Sequence, residues 1–540
     1  KDRLTVLTSL VVCPKKTSRM APRTVASTVS VKLALFGAVF MTCLGSSFLI
    51  GYNLGIVNLP AKEITDFLEK EIIIKHQTGS WLTKDFLYAQ VSSVFVLAAA
   101  MGAFSCGWVA DFLGRRNSLL INNLIGIVGS VLSGLCVIVG HPALLYVGRF
   151  FSGINSGITI GVASIYLTEI APRNLRGMIG ACHQLAVTMG IFVAYLATLT
   201  QALNDTQKWP LAIGIGAIPP VISCIFFPFC PESARYIYLL KNREEEARVA
   251  FQRVNATENV DMFIAEMREE ADVARNQPKF KFVQLFKQRD LRMPVLIAVL
   301  IQVLQQLSGI NAVVANSSLM LRTASVPEEQ LQFFVLGTGF LNVLCTIVAL
   351  PLLERAGRRT LLLWPTLILG LTLLLQTIMV SIINSKPREE QGPFAVVSAI
   401  LVFIYIGSFA VGLGPIPALI VAEIFRQGPR GAAYSLSQSI QWLCNLIVLF
   451  SFPSLNESMK GYVYLPFLVV VMVCWVFFFL FMPETKNRTF DEVARDLAFG
   501  TIVVGRRTAA LQTTVFTKES NEEPTPAHPL LEGVGSEKVA

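Results

Sequence analysis

The sequence predicts an all-α membrane protein: twelve transmembrane helices in two six-helix bundles, with a small cytoplasmic helical linker domain between them. Three observations carry that expectation. Of 540 residues, 53% are hydrophobic and only 15% charged, with a mean hydropathy of +0.58; a water-soluble fold has no interior large enough for so much apolar surface. Apolar runs of bilayer-crossing length recur along the chain. Three short polar signals appear twice, in the same order.

A helix needs about 20 apolar residues to cross the hydrocarbon layer. Twelve runs qualify: 33–54, 89–110, 118–139, 143–165, 179–200, 209–230, 294–320, 331–352, 361–383, 393–421, 433–454 and 462–482. The run at 5–12 is too short to span, and no cleavable signal is evident. The expected organisation is a cytoplasmic arm at 1–32, bundles at 33–230 and 294–482, a linker at 231–293, and a largely disordered tail at 483–540.

Lysine and arginine set the orientation. With both termini in the cytoplasm, 35 of the 45 fall in inner segments and 9 in outer ones, and Arg149 lies inside the fourth span. Positive residues collect on the cytoplasmic side, so a multi-pass protein, at the plasma membrane, with both ends inside is expected. The net charge of +9 then reports loops beside an anionic leaflet, and no nucleic-acid partner is expected.

The repeat comes next. GWVADFLGRR (107–116) closes the second span and VALPLLERAGRR (348–359) the eighth. YLTEIAPRNLRG (166–177) follows the fourth and IVAEIFRQGPRG (420–431) the tenth. PESAR (231–235) follows the sixth and PETKNR (483–488) the twelfth. Measured from Gly114, Glu169 and Pro231, the offsets are 243, 254 and 252 residues. That is a six-span unit duplicated in parallel. Every signal lies at a cytoplasmic end. Arg115, Arg116, Glu169, Arg176 and Glu232 in the first half, with Glu354, Arg358, Arg359, Glu423, Arg430 and Glu484 in the second, are read as an inner salt-bridge latch. It would join the bundles in one state and part in the other. Arginines alone would set topology; the recurring carboxylates are what topology does not need.

QQLSGINAVVANSS (305–318) breaks the apolar seventh run with amides and no charge. A neutral polar side chain in hydrocarbon needs a partner. In a helix, positions 305, 308, 311, 315 and 316 share one arc, and a break at Gly309 would bring Gln306 to it. Carboxamides both donate and accept, as sugar hydroxyls do. Gln184, Asn342, Gln441 and Asn445 supply the same group from other spans, and Trp442 offers an apolar wall. Interhelical glue is the bland alternative for any one amide.

Lesser features complete the inventory. GLGPIPA (412–418) puts Gly414, Pro415 and Pro417 inside the tenth span, a hinge beside the site. Gly51 and Gly55 are read as either flexing or packing positions. Arg149 is expected to cap a buried network, and His183 to pack with a hydrogen bond. Nine of ten cysteines lie in or beside apolar runs and are read as core residues. Asn204 and Asn456 sit in outer N-x-S/T sequons and are glycosylation candidates. No metal spacing and no nucleophile–base set is found, so no cofactor, metal or catalytic residue is assigned and the chain is not read as an enzyme.

Together these motifs resemble the sugar-porter branch of the major facilitator superfamily, and within it the facilitative glucose/fructose transporter family of animals. The resemblance rests on GYNLGIVNLP (51–60), GWVADFLGRR, GRFFSG (148–153), EIAPRNLRG (169–177), HQL (183–185), PESAR, QQLSGINA (305–312), ERAGRR, GLGPIPALIVAEIF (412–425), Trp442, Asn445 and PETKNRTFDE (483–492). It implies the major facilitator fold. It also implies sugar contacts at Gln184, Gln305, Gln306, Asn311, Asn342, Trp442 and Asn445.

The chain departs from that family in three places. Ala315 and Asn316 stand where the family often has two gate aromatics. Ala418 stands where glucose-type members have Trp, which resembles fructose-type members and would widen the pocket wall. Ala410 replaces an acid of glucose-type members, whereas QLS (306–308) is common in them. The expected activity is hexose uniport, of fructose and/or glucose. Proton-coupled relatives carry Asp in a G-Y-D motif; here the residue is Asn53, which does not titrate. The rivals are a proton–sugar symporter, a porter of another polar solute such as urate, and a non-transporting sugar sensor.

Overall fold

The computed structural model describes residues 33–74, 84–172, 175–199, 208–255, 259–276, 282–311, 328–387, 390–425 and 427–486, with 488, 493 and 497 beyond. The fold is all-α. Eleven helices among these residues are long and apolar enough to cross a membrane: Leu33–Gly55, Phe86–Leu113, Arg115–Val139, Pro142–Ile170, Met178–Ala197, Trp209–Phe229, Gln330–Leu353, Arg358–Ser385, Gly392–Val421, Pro429–Phe452 and Gly461–Phe481. A shorter apolar helix, Arg292–Leu307, stands where the seventh span was expected. Ordinals below follow these twelve segments in chain order.

Helix ends follow local chemistry. Proline opens the fourth, sixth and twelfth helices at Pro142, Pro210 and Pro466, where its missing N–H has no helical partner to lose. Gly140 ends the third in the left-handed region, at φ 68°. The first helix carries one turn of π-helix at Cys43–Ser47. Its extra residue aims two consecutive serines inward: the Ser46 hydroxyl donates to Asn123 Oδ1 at 2.9 Å, and Ser47 Oγ meets His183 Nδ1 at 2.7 Å.

Close helix contacts settle the role of Gly51. A Cβ built there would lie 1.8 Å from the Val187 carbonyl oxygen. The first and fifth spans therefore touch backbone to backbone, and Gly51 is a packing position.

Two sequence expectations change. The seventh span is not one helix over 294–320: the helix stops at Leu307, Ser308 and Gly309 form a turn, and 312–327 lie outside the described residues. Gly309 has φ +93°, which a residue with a Cβ rarely adopts. Asn456 is not in a loop, because the eleventh helix runs on from Gln427 to Met459 and holds Asn456 half-buried within it. Asn204 lies outside the described residues.

The linker forms four helices, Ala234–Leu239, Glu244–Val254, Val260–Asn276 and Gln284–Lys287. Phe251 stacks on Phe263 with centroids 4.0 Å apart. Arg248 joins Glu244 at 2.9 Å and Asp261 at 2.7 Å. Val254 reaches the apolar core that contains Leu35 and Ala38 of the first span.

The two halves meet along a seam. Phe95 of the second span meets Trp442 of the eleventh edge-on at 6.4 Å, and Phe192 of the fifth meets Phe340 of the eighth at 6.0 Å.

Candidate functional site

The amides converge at two helix breaks. One is the turn at Ser308–Gly309. The other, Gly412–Pro415, interrupts the tenth span between Gly392–Val411 and Ile416–Ile424. Proline supplies no N–H there, so upstream carbonyls lose their helical partners. Gln305 takes them up: its Nε2 donates to the Leu413 carbonyl at 2.8 Å and approaches that of Gly414 at 3.4 Å. Gln306 Nε2 donates to Gln305 Oε1 at 3.3 Å, and Asn311 Nδ2 donates to Gln306 Oε1. The break at Gly309 is what lets positions 306 and 311 meet. From the first half, Gln184 Nε2 would lie 3.6 Å from a Cβ on Gly414. Gln184, Gln305, Gln306, Asn311 and Gly414 thus form one polar group spanning both halves.

Asn342, Trp442 and Asn445 are buried on the eighth and eleventh spans. Trp442 Nε1 and Asn445 Oδ1 have no hydrogen-bond partner among the described residues. Gln441 is half-buried and Ala418 exposed, with no described hydrogen bond tying either to the amide group. Pro415 and Pro417 are buried at the tenth-span break. Ala315 and Asn316 lie outside the described residues.

Sequence reasoning missed Gln302 and Gln438. Gln302 donates to the Ser437 hydroxyl at 2.9 Å, and both glutamines keep an unpaired buried Oε1. The signal was present, since Gln302 lies one turn before Gln305 and Gln306, and Gln438 one turn before Gln441.

At the repeated motifs, Gly114 and Gly357 adopt φ +93° and +86°. A Cβ at either would lie 2.6 Å from a carboxylate oxygen, of Glu232 or Glu484. Glycine therefore lets each carboxylate cap the helix that starts next. Glu232 accepts the N–H groups of Arg115 and Arg116 at 3.1 and 3.0 Å, and Glu484 those of Arg358 and Arg359 at 2.9 and 3.1 Å. Both sit at a helix N-terminus, where a negative charge is favoured. Burial raises the Glu232 carboxyl above its ordinary range, against the pull of the Arg116 and Ser233 N–H groups and of the Arg116 and Arg115 charges.

Beside each cap is an ion pair. The Arg115 guanidinium donates to Glu169 at 3.1 Å, and that of Arg358 to Glu423 at 3.0 Å. A hydroxyl completes each carboxylate: Ser233 donates to Glu169, and Thr485 to Glu423 at 2.5 Å. Arg116 and Arg359 bind backbone carbonyls, of Cys230 at 3.2 Å and of Met482 at 2.7 Å. Arg430 donates to the Phe425 carbonyl at 3.2 Å. The side chains of Arg176 and Glu354 lie outside the described residues.

The Arg115–Glu169 and Arg358–Glu423 ion pairs each run within one half and staple its helices together.

Two halves of six spans, with a polar group on the seam between them, define a carrier of the major facilitator fold. The sequence matches the sugar (and other) transporter family over residues 38–497, and the chain belongs to that family. It is similar to the facilitated glucose transporter member 3 of sheep, 36% identical over 469 residues, covering 87% of this chain and 93% of that protein. It is also similar to human member 4, at 35% over 471 residues, covering 85% and 89%. Among solved structures, the proton:xylose symporter XylE bound to 6-bromo-6-deoxy-D-glucose superposes with a TM-score of 0.72 at 19% identity, covering 86% of this chain and 98% of that one. The inward-open xylose transporter XylE from E. coli gives 0.68 at 20%, covering 85% and 99%.

Proposed function

We propose that this chain is a hexose uniporter, moving fructose and/or glucose down its gradient by alternating access at the plasma membrane. The observation that carries this reading is the chain of amides from Asn311 through Gln306 and Gln305 to the Leu413 carbonyl. It is uncharged, rich in both donors and acceptors, and lies at the breaks of two helices. A neutral polyol matches that chemistry; an ionic solute does not. Kinship with facilitated glucose transporters supports the sugar class.

Uniport rests on what lines the spans. Asn53 is buried in the first helix and carries an amide, which cannot relay a proton. The described carboxylates of Asp111 and Glu169 sit at helix ends, Asp111 largely exposed. The test is sugar flux into vesicles with an imposed pH gradient, run with a competition panel of glucose, fructose, galactose and urate. Equilibration without accumulation is expected, with hexoses competing. Uphill accumulation would establish coupling instead, and competition by urate alone would remove the hexose assignment.

A further inference from the structure

Arg149 is buried in the fourth span, 2% exposed, and no carboxylate among the described residues pairs with it. Its Nε–H reaches the Val91 carbonyl at 3.4 Å, one N–H of the guanidinium reaches the Asn53 carbonyl at 2.9 Å, and its carbon lies 4.3 Å from the centre of the Phe95 ring. A guanidinium has five N–H donors, so three remain without an acceptor among the described residues. Carbonyl dipoles and a ring face offset part of the desolvation, but they carry no net charge.

Arg149 lines a small cavity. Leu54, Val57, Phe95 and Leu449 form its apolar wall, and Ser92 and Asn311 its polar points. Leu54, Val57, Ser92, Phe95 and Arg149 belong to the first half; Asn311 and Leu449 belong to the second. The cavity therefore lies on the seam, and one wall is the end of the amide chain. It is a narrow space with room for one small particle. The Tyr88 hydroxyl, near Arg149, donates to the Val57 carbonyl at 2.9 Å and so supplies no counter-charge.

We propose that Arg149 and this cavity bind one chloride-sized monovalent anion at the seam between the halves. The anion completes the charge balance that the protein leaves open, and Ser92 adds a hydroxyl donor. Because both halves build the cavity, the site exists in full only while the seam is closed as it is here. Occupancy therefore favours this conformation over one in which the halves separate. Charge and cavity carry this inference without the sugar assignment, and the two fail separately.

The test is made on the full-length protein. Crystals or frozen samples prepared in bromide should show a halide against the Arg149 guanidinium. In detergent at constant ionic strength, the melting temperature should rise saturably with chloride or bromide relative to gluconate. Arg149→Gln should abolish the shift. Should that variant fail to fold, Asn53→Asp serves instead: it puts a carboxylate on the helix turn whose carbonyl Arg149 already holds, and a fixed counter-charge should remove the halide response while the chain stays folded. No bromide at Arg149, equal melting in chloride and gluconate, or a halide shift that survives both substitutions would each overturn the proposal.

Discussion

The two halves share a plan but treat their buried polar groups differently. In the first, buried asparagines and serines cross-link four spans, although Asn122, Asn155, Ser130 and Ser133 each also keep a buried atom with no described partner. Asn122 and Asn155 donate to each other's backbone carbonyls at 2.9 and 2.6 Å, and Asn123 links Ser46 to Ser223. Those bonds tie the first, third, fourth and sixth spans into a block. In the second half, Gln302, Gln438, Trp442 and Asn445 each keep a buried atom with no described partner, and Gln305 braces a broken helix. Both halves keep buried polar atoms without a described partner; what sets the second apart is that its amides gather where two of its helices are interrupted.

That contrast can be broken or sharpened by substitution. The largest effect is expected at Gln305. Gln305→Leu should lower sugar flux roughly 100-fold, because it removes a bond to the helix break and leaves the Leu413 carbonyl unpaired, with Gln184→Leu costing only about tenfold; flux into vesicles, with melting to confirm folding, decides. Equal losses would erase the distinction between the halves.

Next comes Gly51→Ala. Its Cβ would meet the Val187 carbonyl at 1.8 Å, whereas Gly37 has nothing within 4 Å. Gly51→Ala should destabilise by about 3 kcal/mol or more, and Gly37→Ala should leave melting unchanged. If both variants melt alike, the rigid-block picture of the first half fails.

At the repeated caps the halves should behave alike. Ser233→Ala and Thr485→Val each remove the hydroxyl that serves a half-buried carboxylate, and each should cost about 1 kcal/mol in thermal unfolding. A large difference between them would show that one staple outweighs the other.

The smallest effect is expected in the linker. Hydrogen bonding from Arg248 lowers the Glu244 carboxyl below its ordinary 4.5, so the stabilisation it gives is complete above that value and is lost as pH falls through the folded value. Amide exchange in Glu244–Val254 should quicken only under acid, while the spans stay protected.

Much of this was legible in the sequence because the bilayer imposes a length and the duplication supplies a ruler. Eleven spans stand within a few residues of the apolar runs. The largest shift is in the eleventh helix, which runs from Gln427 to Met459 and passes its apolar run at both ends. Gln305, Gln306, Asn311 and Gln184 were found because amides are conspicuous in hydrocarbon. Gly309 signalled the break that ends the seventh helix early. What stayed hidden was partner choice. The latch residues are visible as charges, but whether Arg115 reaches across the seam or to Glu169 in its own half depends on helix rotation, which composition does not encode. Gln302 and Gln438 escaped notice although each lies one turn before amides that were singled out.

The π-turn at Cys43–Ser47 has a practical corollary. Labelling studies that walk cysteines along a helix read out which face meets water by counting in steps of three and four. Along the first span that count slips by one residue at the turn. Accessibility patterns from 33–42 and from 48–55 should therefore be fitted as two separate phases; a single fitted phase would put Ser46 and Ser47 on the wrong sides.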